Sequence, residues 1–160
     1  MKKIEISTSA IVYKDISELS AEDNLLMKKA IEARKKAYAP YSKFYVGAAL
    51  LLENGEIIEG NNQESAAYPS GMCAERVAIW KASSTYPNVK IIKLAISASS
   101  TIAKVNTPIG PCGACRQTLS EYEINQKVPF KVLFMGEVGE IVKTSSLLSL
   151  LPFSFDSSYL

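Results

Sequence analysis

The first strongly periodic stretch of apolar residues lies between Ser20 and Pro40 and predicts an amphipathic helix. Ser20, followed three residues later by Asp23, is typical of a helix start, and Pro40 ends the pattern. The apolar residues recur at helical spacing, as the buried stripe of a helix does. They are Leu26, Ala30, Ala33 and Ala37.

Extended segments lie on both sides of this helix. Residues Ile4 to Val12 carry apolar side chains at nearly alternate positions, which predicts an extended N-terminal arm or edge strand. After the helix, an apolar run from Val46 to Leu52 is followed by Asn54-Gly55, a strong signal for a two-residue turn. The sequence therefore predicts a β-hairpin over roughly Tyr45 to Asn61.

Helices and strands alternate in the rest of the chain. The predicted elements are a helix that follows Gly71 and runs through Ala82, a strand from Val89 to Ala98, a helix from Cys112 to Tyr122, a strand from Phe130 to Met135, a short strand at Ile141-Val142 and a Leu-rich helix from Ser145 or Ser146 to Leu151. A hairpin followed by alternating helices and strands predicts a three-layer α/β/α sandwich around a mixed sheet of about five strands.

Composition narrows the class of protein. The chain has 160 residues, 48% of them hydrophobic, which favours a single domain over residues 1–160. A net charge of +2 predicts no nucleic-acid partner. No apolar run approaches the roughly 18 to 20 residues of a membrane span, and the N-terminus lacks a signal-peptide pattern. We expect a cytoplasmic protein without a membrane partner.

The cysteines carry the candidate chemistry, because the chain has three cysteines and no histidine. A proton carrier at neutral pH would then be a carboxylate, and a metal would be held by thiolates or carboxylates. Cys73 and the pair Cys112 and Cys115 offer three ligands, one short of the four in a structural zinc site, whereas a catalytic zinc keeps a position open. Glu75 is the candidate proton carrier.

Other interpretations stay open at this point. A free cysteine is often a small buried apolar group, and C-x-x-C also occurs in redox pairs, although a redox pair would leave Cys73-Ala74-Glu75 unexplained. A structural zinc module would need a carboxylate ligand or a partner chain to complete it. The odd number of cysteines argues against a closed set of disulfides.

Both cysteine segments fall where helices are predicted to begin. Free N–H groups and positive dipole ends of two helices would then favour thiolate over thiol at one shared ion. Three thiolates on Zn²⁺ leave one net negative charge, which neighbouring donors would offset. Arg76 and Gln117 stand beside the ligand motifs and are candidates to donate hydrogen bonds to the sulfurs.

The motifs together indicate a family. They are Tyr38 to Phe44, Val46 to Ala49, Asn62 with Glu64, Cys73 to Arg76 and Pro111 to Gln117. Across these motifs, from about Ala30 to Phe155, the chain closely resembles the small homotetrameric cytidine deaminases with an all-cysteine zinc site. The resemblance implies one Zn²⁺ per subunit, and hydrolysis of cytidine and deoxycytidine to uridine and deoxyuridine in pyrimidine salvage, with Glu75 carrying the protons.

The resemblance also implies how the nucleoside is bound. Asn62 and Glu64 would hold the ribose 3′-hydroxyl, Phe44 would pack against the pyrimidine, and the backbone around Ala74 would read the base carbonyl. Tyr68 and Phe155 match positions that reach a neighbouring subunit's site, so composite sites in a homotetramer are expected. The chain departs from the family at two places. Ser65 stands where the family usually has Asn after the Glu, and residues 1–19, approximately, form an N-terminal extension that many relatives lack.

Two alternatives accompany this interpretation. A deaminase of a modified cytosine nucleoside, such as a nucleoside antibiotic, shares the cysteine motifs, although Asn62 with Glu64 favours an ordinary ribose. A non-enzymatic structural zinc module would bind metal without turnover.

Overall fold

A computed structural model describes all 160 residues and contains one mixed sheet of six strands. Its order is β1-β6-β5-β4-β2-β3, in which only β4 and β5 run parallel to each other. The elements are β1 (Ala10–Tyr13), α1 (Ala21–Arg34), β2 (Phe44–Leu52), β3 (Ile57–Asn61), α2 (Ala74–Thr85), β4 (Ile91–Ser100), α3 (Gly113–Gln126), β5 (Lys131–Met135) and β6 (Ile141–Thr144).

The helices cover both faces of the sheet, so the predicted three-layer α/β/α arrangement is confirmed. On one face α1 packs with alternate strand residues; Leu26, Met27, Ala49, Ala95 and Leu133 belong to that cluster. On the other face α2 and α3 pack against the intervening residues, and Ala78, Leu119, Ala48, Leu94 and Ile96 belong there. Burial of both faces explains why the central strands are apolar runs without polar alternation. No helix is long and apolar enough to cross a membrane.

The sheet has one more strand than the sequence predicts, because the N-terminal arm joins its edge. Residues Ala10–Tyr13 pair antiparallel with β6, and Ala10 lies opposite Thr144. Several predicted bounds also differ, and α2 and α3 run on to Thr85 and Gln126. Helix α1 ends at Arg34, well before Pro40, because the amides of Lys36 and Ala37 bond to carbonyls three residues back in a tighter turn. The Leu-rich segment forms only a single 3₁₀ turn over Leu148–Leu150.

Two glycines on the hairpin let helices approach the sheet closely. A Cβ at Gly47 on β2 would lie 2.0 Å from the Ala30 carbonyl oxygen of α1. A Cβ at Gly60 on β3 would lie 2.5 Å from the Ala74 carbonyl oxygen of α2. Real Cβ atoms do not approach backbone so closely, so each glycine sets the height of one helix above the sheet.

A buried ion cluster joins α1 to the sheet on its own face. The Asp23 side chain is 2% exposed, and its Oδ1 accepts a hydrogen bond from Lys93 Nζ on β4 at 2.6 Å. Its second carboxylate oxygen accepts from Lys143 Nζ on β6. Burial by itself would raise the pKa of Asp23, but the hydrogen bonds from Lys143 and Lys93 hold it below its ordinary value. The cluster therefore fixes the start of α1 over two strands.

Candidate active site

Helices α2 and α3 both begin at a cysteine. Cys73 is the residue just before α2, Cys112 is the residue just before α3, and Cys115 lies in the first turn of α3. Neither starting cysteine caps its helix, because neither side chain accepts a hydrogen bond from a backbone N–H of that helix. The first N–H groups of a helix have no partner within it, so the positive ends of both helices are directed toward the sulfurs.

The three sulfurs form one cluster. All three Sγ atoms lie within 4.8 Å of one another, and Cys73 Sγ is 3.9 Å from Cys112 Sγ. Sulfurs bound to one tetrahedral zinc at about 2.3 Å would be about 3.8 Å apart, so the cluster fits that ion. Cys115 is buried, Cys73 is half-buried and Cys112 is exposed. Cys73 and Cys112 line the neighbouring cavity, so an ion held by the three sulfurs would be accessible to a molecule in that cavity.

The thiols are already polarised toward metal binding. A hydrogen bond from the Cys115 thiol, together with donation from Arg76, lowers the pKa of Cys73 to about 5. The same interaction raises the pKa of Cys115, because Cys115 keeps the shared proton in a buried position near Glu75. Cys73 is therefore the thiol of the pair that ionises more readily, and thiolate is the form that binds zinc.

The residues expected to support the sulfurs differ in their contacts. Arg76 Nη2 lies 3.6 Å from Cys73 Sγ, and the guanidinium carbon sits 6.0 Å from the ring centre of Trp80. The buried Nε of Arg76 has no hydrogen-bond partner, which leaves a donor free beside the cluster. Gln117 contacts no sulfur. Its amide instead donates to the carbonyl of Phe155 at 2.8 Å, because α3 turns this side chain toward the end of the chain.

Glu75 is a buried carboxyl at the floor of a cavity of about 720 Å³, next to Cys73 and Cys112. It is 4% exposed. Burial raises the pKa of Glu75 to about 6, and the negative charge of Cys73 acts in the same direction. A carboxyl with a pKa close to neutrality can both accept and return a proton near pH 7.

Asn62 and Glu64 line the same cavity but already have backbone partners. Asn62 bridges the two sides of the hairpin, accepting from the Val46 amide at 2.7 Å and donating to the Phe44 carbonyl at 2.9 Å. Glu64 accepts hydrogen bonds from the Ser42 hydroxyl and from the amides of Tyr41 and Ser42. The Ser42 hydroxyl, followed by these amides, keeps the pKa of Glu64 below its ordinary value. Glu64 therefore presents a fixed anion at the cavity wall.

Of the other residues expected to contact the nucleoside, some line the cavity and others lie outside it. Phe44 and Tyr68 line the cavity, and Tyr68 is 74% exposed with its ring edge against Tyr41. Ala74 is fully buried against β3, but as the first residue of α2 its N–H has no acceptor within the helix. Phe155 lies outside this cavity in the single chain, stacked on Tyr159 at 5.7 Å.

Several residues that line the cavity were not among the predicted site residues. They are Tyr41, Ser42, Val46, Gln63, Gly71, Met72, Ile96, Ile109 and Gly110. Ser65, which the sequence singled out as a departure from the family, also lines the cavity. Ile96 belongs to a buried strand and Ile109 to a loop, and neither position carries a local signal for ligand binding. Ser42 could have been found, because it directly follows the Tyr-Ala-Pro-Tyr turn that closes over Glu64.

Comparison with known proteins agrees with this geometry. The family described as "Cytidine and deoxycytidylate deaminase zinc-binding region" matches residues 20–131. The cytidine deaminase of Sporosarcina psychrophila is 41% identical over 148 residues, covering 91% of this chain and 96% of that protein. That of Halalkalibacterium halodurans is 39% identical over 123 residues, covering 77% of this chain and 89% of that protein.

A solved structure extends the agreement to the fold. The crystal structure of cytidine deaminase from Burkholderia pseudomallei superposes with a TM-score of 0.72 at 36% identity, covering 86% of this chain and all of that one. The matched zinc-binding region contains both cysteine segments and Glu75. This chain belongs to the zinc-binding cytidine and deoxycytidylate deaminase family.

Proposed function

We propose that this protein hydrolyses cytidine and deoxycytidine to uridine and deoxyuridine, with release of ammonia, as a cytoplasmic enzyme of pyrimidine salvage. The observation that carries the proposal is the buried carboxyl of Glu75, which lines a cavity of about 720 Å³ beside three clustered thiols. Thiolate ligands also persist best in a reducing compartment. The relatives named cytidine deaminase support the choice of substrate.

Cys73, Cys112 and Cys115 are the residues that would hold zinc. When bound, zinc lowers the pKa of water and so supplies a nucleophile at neutral pH. Arg76 donates toward Cys73, and the two helix ends add further positive potential, which together offset the charge of the thiolates. Gln117 has no such role in this proposal, since its amide is engaged with Phe155.

Glu75 carries the protons of the reaction. It accepts a proton from the water that adds to C4 of the pyrimidine and delivers it to N3. It then takes the remaining proton from the new hydroxyl on C4 and transfers it to the amino group. The amino group leaves as ammonia while C4 becomes a carbonyl. Its pKa of about 6 makes both directions of transfer accessible near neutral pH.

The cavity walls select a nucleoside. Phe44 and its apolar neighbours would cover the face of the base, and the free N–H of Ala74 would donate to the base carbonyl. The fixed carboxylate of Glu64 would accept from the ribose 3′-hydroxyl, and the remaining donor of Asn62 would complete that contact. Ser65 lies on the same wall and takes the place of a longer amide.

The enzyme is proposed to work as a homotetramer with composite sites. Tyr68, at the mouth of the cavity, and Phe155, at the end of the chain, are large apolar side chains exposed by 74% and 57%. Burial of such groups against a second copy would remove them from water and bring Phe155 to a neighbouring cavity. A monomer in solution with full turnover would contradict this arrangement.

The test is turnover of purified protein with cytidine, deoxycytidine, CMP and adenosine, followed by the pyrimidine absorbance change and ammonia release. The first two should react and the last two should not. Glu75→Gln should retain zinc and lose turnover by about 10²-fold to 10⁴-fold, the usual contribution of a general base. Glu56→Gln, on the exposed hairpin turn, is the matched control. A fully active Glu75→Gln protein would contradict the mechanism.

A further inference from the structure

Arg116 makes two contacts that the chemistry of the site does not explain. Its Nε donates to the Pro111 carbonyl at 2.8 Å, and its Nη1 donates to the Leu150 carbonyl at 2.9 Å. The side chain is half-buried and forms no ion pair, so its charge is directed entirely to two backbone oxygens. Hydrogen bonds from a guanidinium to fixed acceptors are short, directional and stronger than neutral ones.

The Pro111 carbonyl lies immediately before Cys112 in the chain. Cys112 is exposed, unlike Cys115, and it stands at the start of α3 where no side chain caps the helix. The bond from Arg116 thus spans from within α3 back to the peptide that enters it. It restrains the backbone that determines where Cys112 Sγ points.

The second contact links this peptide to the end of the chain. The 3₁₀ turn at Leu148–Leu150 presents the Leu150 carbonyl to Arg116. The other end of that turn is held by Glu123, two helical turns further along α3, which accepts from the amides of Leu147 and Leu148 at 2.9 and 3.1 Å. Both anchors of the turn are therefore on α3 itself.

We propose that Arg116 is a positioning residue for Cys112, which it fixes through the Pro111 carbonyl while using the turn at Leu148–Leu150 as its support. The inference rests on the proposed role of Cys112 as a zinc ligand. A lysine at this position would keep the charge, but a single ammonium cannot reproduce the planar pair of bonds to two separated carbonyls. The metal site then depends on a segment that contributes no ligand to it.

The test compares Arg116→Lys and Arg116→Met with Arg34→Lys. Arg34 is the matched control, because its guanidinium also donates to a backbone carbonyl, that of Ala98, and to the Ser97 hydroxyl, but it lies on the α1 face. The first measurement is competition with a chromogenic chelator, which gives both the zinc affinity of each protein and its rate of zinc transfer. Both Arg116 variants should bind zinc about tenfold or more weakly, in the range found for groups that orient metal ligands.

The second measurement separates positioning from general stability. Cobalt(II) bound to thiolates gives charge-transfer and visible bands that depend on the number and geometry of the sulfurs. Both Arg116 variants should show an altered cobalt spectrum, whereas Arg34→Lys should keep the wild-type spectrum even if its melting temperature falls. A wild-type cobalt spectrum and zinc transfer rate in both Arg116 variants would overturn the proposal.

The outcome is distinguishable from failure of the proposed function. If Cys112→Ser retained the wild-type cobalt spectrum, Cys112 would not be a ligand, and the assignment of the site itself would be wrong. If Cys112→Ser altered the spectrum and both Arg116 variants did not, the site would stand and only the positioning role would be refuted. A change of equal size in Arg34→Lys would likewise refute a role specific to Arg116.

Discussion

Helix α1 is capped at its start by a side chain that accepts a hydrogen bond from a backbone N–H of the helix, whereas α2 and α3 have no such cap. Ser20 accepts a hydrogen bond from the Asp23 amide, which is an ordinary helix cap. At the same position α2 and α3 have Cys73 and Cys112, which leave their helices uncapped. The uncapped ends lose a local contribution to stability and gain a positive potential that can bind an anionic, thiolate-bound centre.

The same division applies to buried charge. On the α1 face the carboxylate of Asp23 is neutralised by two lysines, so it contributes to stability and has no free bonding capacity. On the other face Glu75 is equally buried but has no lysine partner, and its pKa is raised. One face of the sheet is therefore organised for stability, and the other keeps reactive groups that the fold alone would not favour.

The largest effect is expected when α2 is given a serine cap, like the Ser20 cap of α1. Cys73→Ser places a good helix-capping residue before α2 while it removes a thiolate ligand. We expect zinc binding to weaken more than about a hundredfold, because loss of a ligand should exceed the effect of losing a residue that only hydrogen-bonds a ligand. Turnover should be lost as well. The metal-free variant should unfold at no lower urea concentration than the metal-free wild type.

Metal content, by elemental analysis, and urea unfolding of the two metal-free proteins check this prediction. A Cys73→Ser protein with one zinc per chain and wild-type turnover would show that this helix start has no special role.

The next largest effect is expected from the ion cluster on the opposite face. Asp23→Asn leaves Lys93 and Lys143 without their buried partner and should cost about 3–5 kcal/mol of unfolding free energy. Turnover per folded molecule should not change, because the cluster lies on the α1 face. Glu22→Gln is the matched control, since Glu22 binds the same Lys93 from a side chain that is 57% exposed and should cost less than about 1 kcal/mol.

The Asp23 cluster also predicts a pH dependence. Because the folded-state pKa of Asp23 is lowered, its contribution is fully present above the ordinary carboxyl pKa of 3.8 and is lost as the pH falls through the folded-state value. Urea unfolding of the wild type should therefore lose more stability than Asp23→Asn between about pH 5 and about pH 2. Parallel pH profiles for the two proteins would contradict the assigned charge state.

The two glycines of the hairpin, Gly47 and Gly60, test the two faces of the sheet separately, because each contacts the helix on one face. Gly47→Ala and Gly60→Ala each force a methyl group against helix backbone and should each cost about 1–3 kcal/mol. Only Gly60→Ala moves the start of α2, since its contact is the carbonyl of Ala74. It should therefore also speed zinc transfer to a chelator, whereas Gly47→Ala should leave the transfer rate unchanged. Equal zinc transfer rates in the two variants would show that the start of α2 tolerates displacement.

The smallest expected effect is at the cap of α1. Ser20→Ala should cost about 1 kcal/mol in urea unfolding, because the amide of Asp23 loses its acceptor. Ser20→Asp should restore most of that stability. Zinc content and turnover should be unchanged in both variants. A loss of zinc in Ser20→Ala would mean that the two faces are coupled more closely than their separate contacts indicate.

The sequence allowed the elements and the ligand cluster to be predicted because their signals are local. The Ser20 cap, the Asn54-Gly55 turn and the helix starts at the cysteines each depend on residues a few positions apart. The three cysteines could be assigned to one ion in the prediction because both cysteine segments lie at predicted helix starts and the chain has no histidine to act as a ligand. In the structure the three Sγ atoms lie within 4.8 Å of one another, which is close enough for all three to bind one ion.

Contacts between residues that are distant in the sequence could not be predicted from such local signals. The amide of Gln117 bonds to the carbonyl of Phe155, and a backbone carbonyl has no sequence signature that would have signalled this partner. Pairing of β1 with β6 and the role of Arg116 depend in the same way on tertiary placement. The end of α1 was placed too late, because Pro40 marks where a helix must end and not where it does end.

Strand β1 has a consequence for how the chain folds. Its pairing joins residues near opposite ends of the chain, since Ala10 lies against Thr144, and closing so long a loop costs much conformational entropy. The strand is short, largely exposed, and bonded on one side only. We therefore expect it to dock last during folding and to open first in the native state, so that its amide hydrogens exchange with solvent before those of β4.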